Sequence, residues 1–128
     1  MSQAGLTGLG YITDTGRNGV PDCRKATSED CGSPCCEWCN IDGAGFGAFP
    51  SYDTAGTGLK NLDAFVWAKV PGESDGSSDT SAPRYDIHCG SDESVKNAPD
   101  AGQWFDSFFV MLAENAPKAA LNATVIAM

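Results

Sequence analysis

The chain has 128 residues, a formal net charge of −9 and a pI near 4.2, which is length enough for one domain. The acidic balance argues against nucleic acid or an anionic membrane surface as a partner, because phosphate recognition depends on Lys and Arg. No stretch approaches the roughly 20 apolar residues that span a bilayer. Residues 1–6 lack the basic start and apolar run of a signal peptide, so any export signal is expected outside these residues.

Two strands are predicted, Gly10 to Asp14 and Asp63 to Val70, with a possible short one at Asn40 to Gly43. The second holds a near-continuous apolar run that suits a parallel strand buried on both faces, and Pro71 ends it. Parallel strands need crossover connections and neighbours on both sides, so two or three strands leave edges unpaired. The chain is therefore expected to be a fragment, a truncated product or one piece of a larger assembly.

A polar loop follows the second strand, and it holds one cation, three carboxylates and two glycines: Lys69, Glu73, Asp75, Asp79, Gly72 and Gly76. Ligands of α/β proteins bind at the carboxyl ends of strands. A carboxylate beside a cation could activate or position a water there, or accept hydrogen bonds from a hydroxyl-rich ligand. The alternative is a solvated acidic surface loop.

One helix is predicted after Asp100, which would be its N-cap, and Pro117 forbids its continuation. The apolar residues of this segment recur at helical spacing and are interpreted as core: Trp104, Phe105, Phe108, Phe109 and Leu112. Beyond the helix, Asn122 begins a glycosylation sequon in a tail at residues 116–128.

Six cysteines in so short a chain indicate an oxidising compartment. Four of them lie in a loop at about residues 18–37, and their pairing stays open: Cys23, Cys31, Cys35 and Cys36. Cys36 and Cys39 have the spacing of a zinc knuckle, but the sequence offers no second such pair and no nearby histidine. Disulfides are therefore favoured over zinc, and no cofactor is expected.

Several blocks carry a family resemblance: Trp38-Cys39-Asn40, residues 43–47, residues 62–69, residues 72–86, His88-Cys89 and residues 99–105. In order and spacing they resemble the carboxyl-terminal part of glycoside hydrolase family 6, whose inverting cellobiohydrolases and endoglucanases cut β-1,4-glucan. The similarity covers about residues 9–115. It implies an α/β fold that is the C-terminal portion of a distorted parallel β/α barrel, incomplete on its own, with residues 18–37 as an insertion. It places the general acid upstream of the matched segment.

The resemblance also implies roles for single residues. Asp75 matches the aspartate proposed as catalytic base or as positioner of the nucleophilic water. Trp38 matches a tryptophan that stacks on a glucosyl ring, although it could instead be buried beside a disulfide. Lys69 and Glu73 match residues that hydrogen-bond sugar hydroxyls.

Supporting positions follow from the same resemblance. Arg17 resembles an arginine that pairs with carboxylates near the acid, with a plain surface charge as the alternative, and Asp14 resembles a strand-end carboxylate. Cys39 and Cys89 match the positions of a family disulfide, and His88 is interpreted as structural. The chain departs from the family pattern at Val70, where the family has proline and then two glycines before the glutamate, and at Phe49, where the family has arginine.

Two functions are compatible with these observations. The first is a fragment or truncated form of an inverting, secreted β-1,4-glucanase that takes cellulose or cellooligosaccharide and needs the missing barrel half or another chain. The second is a non-catalytic extracellular module that binds glucan through a half-site or is purely structural. The sequence leaves exo or endo action open.

Overall fold

A computed structural model describes residues 8–21 and 38–118. Its regular elements are strand β1 at Tyr11–Asp14, strand β2 at Leu62–Val66 and helix α1 at Asp106–Glu114, with 3₁₀ helices at Ala55–Thr57 and Ile87–Gly90. The content is α/β with long connecting loops. The predictions for Cys23, Cys31, Cys35, Cys36 and Asn122 fall outside the described residues.

Strands β1 and β2 pair in parallel, as predicted, with Ile12 opposite Ala64 and a register irregularity between Tyr11 and Ile12. The prediction that β2 is buried on both faces was wrong: Leu62 is its only buried residue, and Asp63 is exposed. Among the described residues, β2 is flanked by β1 and by a single antiparallel bridge, so the remaining positions are only half-covered.

Strand β2 ends at Val66, four residues before the predicted end at Val70. Asp14, the last residue of β1, lies opposite Val66, so the pairing of the two strands ends with this pair. The chain then turns to other partners: the Trp67 indole donates to the carbonyl of Ala48 at 2.9 Å.

Helix α1 begins at Asp106 after Phe105, so the prediction of Asp100 as the N-cap was wrong. The carbonyl of Asp100 accepts from the Gln103 amide at 3.0 Å, and Gly102 has a left-handed φ of 82°, so this segment forms a turn instead. Asp106 in the first helical turn complements the helix dipole. No helix among the described residues has the length and apolar character needed to cross a membrane.

The core lies between α1 and the loops that precede β2 and α1, and its buried members are Ile41, Ala44, Phe46, Ala98, Phe105, Phe108, Leu112 and Ala116. Trp104 was predicted to be core, but it is 52% exposed. It precedes the helix, and its ring packs over Gly72, where an added Cβ would lie 2.2 Å from the indole. Burial therefore includes Phe105, directly before α1, and the helical face of Phe108 and Leu112, and it does not extend to Trp104.

The third strand expected at Asn40 to Gly43 is absent among residues 38–118, which the structure describes there. Ile41 instead forms one isolated antiparallel bridge with Ser94. Asn40 and Gly43 both have left-handed φ angles, 41° and 83°, which prevent an extended run.

Candidate functional site

Asp75 and Arg17 form the centre of the polar site. Arg17 Nη1 donates to Asp75 Oδ2 at 2.6 Å, and the two side chains are 19% and 13% exposed. Arg17 Nε donates to the Pro71 carbonyl at 3.1 Å, and Nη2 donates to the carbonyl of Glu73. The alternative of a plain surface charge for Arg17 was wrong, since its guanidinium braces the whole turn that carries Asp75.

Asn40 holds the same aspartate from the other side. The Asn40 amide donates to Asp75 Oδ2 at 2.9 Å, and Asn40 Oδ1 accepts from the Asp75 amide at 2.8 Å. Sequence reasoning gave Asn40 no role. The partners are 35 residues apart, so no local spacing signals the contact, and the only hint is an asparagine inside a block that carries the family resemblance.

Lys69 and Glu73 line the open side of Asp75. Lys69 Nζ donates to Glu73 Oε2 at 3.3 Å and to the Ser74 carbonyl at 3.4 Å, and it lies 3.8 Å from Asp75 Oδ1. Both side chains are over a third exposed, so their ends can reach a ligand from solvent. Screening by water makes this exposed pair worth little as a stabilising contact.

Asp14 closes the strand ends beneath the site. Its Oδ1 accepts from the Gly16 amide at 3.0 Å, and its Oδ2 accepts from the Lys69 amide at 3.3 Å. The exposed carboxylate at the end of β1 therefore holds the main chain at Lys69, three residues after β2 ends at Val66. It connects the end of β1 to the start of the polar loop.

The disulfide between Cys39 and Cys89 is present, with an S–S distance of 2.04 Å and a Cα–Cα distance of 4.9 Å. A Cβ on Gly76 would lie 2.6 Å from Cys89 Sγ, so the acidic loop passes directly against the disulfide. Because Cys39 is bonded to Cys89, it is not a thiolate ligand, which excludes the zinc interpretation for the Cys36–Cys39 pair.

Trp38 projects beside this disulfide. The indole is 48% exposed, so it is not buried against the disulfide, and its ring centre lies 6.2 Å from that of His88. The exposed indole offers a flat apolar face two residues before Asn40, whose main-chain amide contacts Asp75.

Asp79, the third carboxylate of the loop, does not join this cluster. It accepts from the side chain and the amide of Ser81 at 2.7 and 2.8 Å, in a turn of its own. The Ser81 hydroxyl, followed by the Ser81 amide, lowers the pKa of the fully exposed Asp79 carboxyl below its usual value.

The two oxygens of Asp75 are used differently. Oδ2 receives two strong donors, whereas Oδ1 faces Lys69 Nζ at a distance too long for a hydrogen bond and receives no donor from the residues the structure describes. Oδ1 therefore has acceptor capacity for a water or a hydroxyl. Within residues 8–21 and 38–118, no group of three His, Cys, Asp or Glu side chains is arranged to hold a metal ion.

Residues 1–116 match the sequence profile described as Glycosyl hydrolases family 6. The chain belongs to this family. It is 52% identical over 106 residues to the 1,4-beta-D-glucan cellobiohydrolase C of Emericella nidulans. The aligned residues cover 83% of this chain and 21% of that protein.

Solved family 6 structures are also similar. CcCel6C from Coprinopsis cinerea superposes with a TM-score of 0.78 at 41% identity, over 91% of this chain and 29% of that one. A mutant of the cellobiohydrolase Cel6A from Humicola insolens, solved in complex with methyl-tetrathio-α-D-cellopentoside, gives 0.68 at 44% identity over 84% and 27% of the two chains. The chain spans about a fifth of the length of the curated relatives it matches.

The structure shows the contacts of the two residues that depart from the family pattern, Phe49 and Val70. Phe49 stacks on Trp67 with ring centres 5.0 Å apart, so the aromatic side chain packs where the family has an arginine. Val70 is 48% exposed, and its carbonyl accepts from the Glu73 amide at 3.1 Å in the turn that carries the loop.

Proposed function

We propose that this family 6 chain carries the base side of an inverting β-1,4-glucanase active site, with Asp75 as its central carboxylate. The observation that supports it best is the asymmetric use of the Asp75 carboxylate. Arg17 and Asn40 hold Oδ2 at 2.6 and 2.9 Å, while Oδ1 keeps its acceptor capacity beside Lys69. A carboxylate held in this way is suited to orienting one water.

Inversion needs a single displacement. The oxygen of the water bonds to the anomeric carbon while the bond from that carbon to the leaving glucosyl oxygen breaks. The water gives its proton to Asp75 Oδ1 directly or through a second water, and the leaving oxygen takes a proton from a general acid. The family resemblance places that acid upstream of the matched segment, so we assign the acid to a part of the enzyme that precedes residues 1–128.

The substrate wall beside Asp75 consists of Trp38, Lys69 and Glu73. The exposed indole supplies a stacking face for the apolar side of a glucosyl ring, and the two charged side chains supply donors and acceptors for sugar hydroxyls. A cellulose chain or cellooligosaccharide is the proposed ligand, in keeping with the cellopentoside derivative bound to the Humicola insolens relative.

The proposed architecture follows from the same similarity. β1 and β2 are neighbouring strands of a distorted parallel β/α barrel, and residues 1–128 form a partial catalytic domain with family-like blocks at about 9–115. The remaining barrel strands, supplied by further sequence or by another chain, complete the sheet. The Cys39–Cys89 disulfide suits an extracellular setting.

Two assays of the 128-residue chain test the proposal. We expect no release of reducing sugar from soluble β-1,4-glucan, because general acid assistance is typically worth about 10²- to 10⁴-fold. Calorimetric titration with cellooligosaccharide should give a dissociation constant on the order of millimolar, since one stacking face and a few solvated hydrogen bonds bind weakly.

Trp38→Ala should weaken this binding further, whereas Tyr52→Ala, which removes a 91% exposed aromatic that is not part of the proposed wall, should leave it unchanged. Release of reducing sugar that disappears in Asp75→Ala would show that the acid lies within these residues. Submicromolar binding would favour a complete, non-catalytic glucan-binding module over a half-site.

A further inference from the structure

We propose that Asn40 is the positioning residue of Asp75: it fixes the direction in which the carboxylate points. The inference rests on the proposed function for what Asp75 does, but the geometry it concerns can be measured without turnover.

Asn40 contacts Asp75 in both directions. Its main-chain amide donates to the Asp75 side chain at 2.9 Å, and its side-chain oxygen accepts from the Asp75 main chain at 2.8 Å. Each residue thus holds the backbone of the other through a side chain. Such a reciprocal pair fixes both the position of the aspartate backbone and the rotation of its carboxylate.

The remaining polar atoms of Asn40 fix Asn40 itself. Nδ2 donates to Ser74 Oγ at 3.2 Å and to the Gly76 carbonyl at 3.0 Å. The side-chain amide therefore bonds to the residues on both sides of Asp75. The side chain is fully buried, and its neighbour Cys39 is anchored by the disulfide to Cys89. A buried amide with all its groups satisfied is rigid, because any rotation would leave an unpaired polar atom.

The backbone conformation of Asn40 also contributes to the positioning of Asp75. Its φ of 41° lies in the left-handed region, which asparagine and glycine tolerate better than other residues. This conformation accompanies the donation of the Asn40 amide to Asp75 Oδ2. With Arg17 also on Oδ2, the remaining oxygen is left facing Lys69.

The test is amide hydrogen exchange by NMR on the oxidised 128-residue chain. Asn40→Gly keeps the left-handed backbone and removes the side chain, so the Asp75 amide should exchange roughly tenfold faster. The guanidinium resonance of Arg17 Nη1, held by the carboxylate, should broaden. The core amide of Phe46, which donates to Leu112, should keep its exchange rate.

Asn61→Gly is the matched control, since Asn61 has a similar φ of 62° but is exposed and makes no side-chain hydrogen bond to Asp75. It should change neither signal. If Asn40→Gly folds poorly, the reciprocal variant still tests the contact. In Asp75→Ala the main-chain amide of Asn40 loses its acceptor, so this amide should exchange faster by a similar factor.

Unchanged Asp75 exchange and an unchanged Arg17 resonance in Asn40→Gly would overturn the inference. So would an Asn40 amide that exchanges equally fast with and without the Asp75 carboxylate. Failure of cellooligosaccharide to bind would contradict the proposed function alone, because neither exchange measurement involves a glucan.

Discussion

The guanidinium carbon of Arg17 lies 4.8 Å from the centre of the Phe108 ring, so the cation that pairs with Asp75 packs against a side chain of the first turn of α1. Phe108 is fully buried. Through Arg17, the packing of α1 is therefore connected to the carboxylate of the candidate site. The arginine fork serves Asp75, the loop carbonyls and the ring together, which a point charge cannot do.

Arg17→Lys should lower the free energy of unfolding by about 2 kcal/mol, because lysine can replace the ion pair but not the fork of donors. Urea unfolding followed by circular dichroism measures this. Arg84→Lys is the control: Arg84 is exposed and, among the residues that the structure describes, pairs only with Asp100, at 3.4 Å, so its change should stay within about 0.5 kcal/mol. Equal effects of the two substitutions would contradict the role given to Arg17.

Gly76→Ala should destabilise the chain by roughly 1–3 kcal/mol, because the new Cβ would lie 2.6 Å from Cys89 Sγ and must displace the disulfide or the loop. Gly56→Ala has open space around the corresponding Cβ and serves as the control in the same urea experiment. If Gly76→Ala were as stable as Gly56→Ala, the loop would not pack against the disulfide as described.

The Cys39–Cys89 disulfide closes a loop with a sequence separation of 50 residues. Replacing both cysteines with serine should lower the free energy of unfolding by about 4 kcal/mol on the chain-entropy account. Non-reducing peptide mapping of the wild-type chain should recover the two cysteines in one linked pair. A free thiol at either position, or a link to one of the other four cysteines, would contradict the structure.

Ser81→Ala should raise the pKa of Asp79 toward its ordinary value, since the hydroxyl that favours the carboxylate is lost. The folded pKa is depressed, so the stabilising contribution of this turn is present above the unfolded pKa and is lost as the pH falls through the folded pKa. Carboxyl ¹³C titration of Asp79 in both proteins measures the change. An identical midpoint in the variant would show that the hydroxyl is not the cause.

The sequence predicted those parts of the fold that depend on local pattern. The apolar run at Ala64–Ala68 located β2, and the spacing of Phe108 and Leu112 located the buried face of α1. The ends of these elements were missed because they depend on partners. β2 ends at the residue opposite the last residue of β1. The helix begins later in the chain than predicted, because residues around Gly102 form a turn.

The candidate site was predicted in part. Family resemblance, rather than spacing, assigned roles to Asp75, Arg17 and Lys69, and the structure brings these three side chains together. The part played by Asn40 could not be read from the sequence, because its contacts join segments 34 to 36 residues apart and need a left-handed backbone. Asp79 shares the loop composition of Asp75, and only the folded turn with Ser81 separates the two.

Turnover in a grafted enzyme tests most directly whether Asp75 is the base-side carboxylate. In the Emericella nidulans cellobiohydrolase C, the 106 aligned residues would be replaced by those of this chain, so that the rest of a family 6 enzyme is present. The graft should hydrolyse cellooligosaccharide, and Asp75→Ala should lower its kcat by about 10²- to 10⁴-fold, while Asp79→Ala leaves it unchanged. A folded graft that turns over equally well with alanine at position 75 would contradict the claim that Asp75 is the base-side carboxylate.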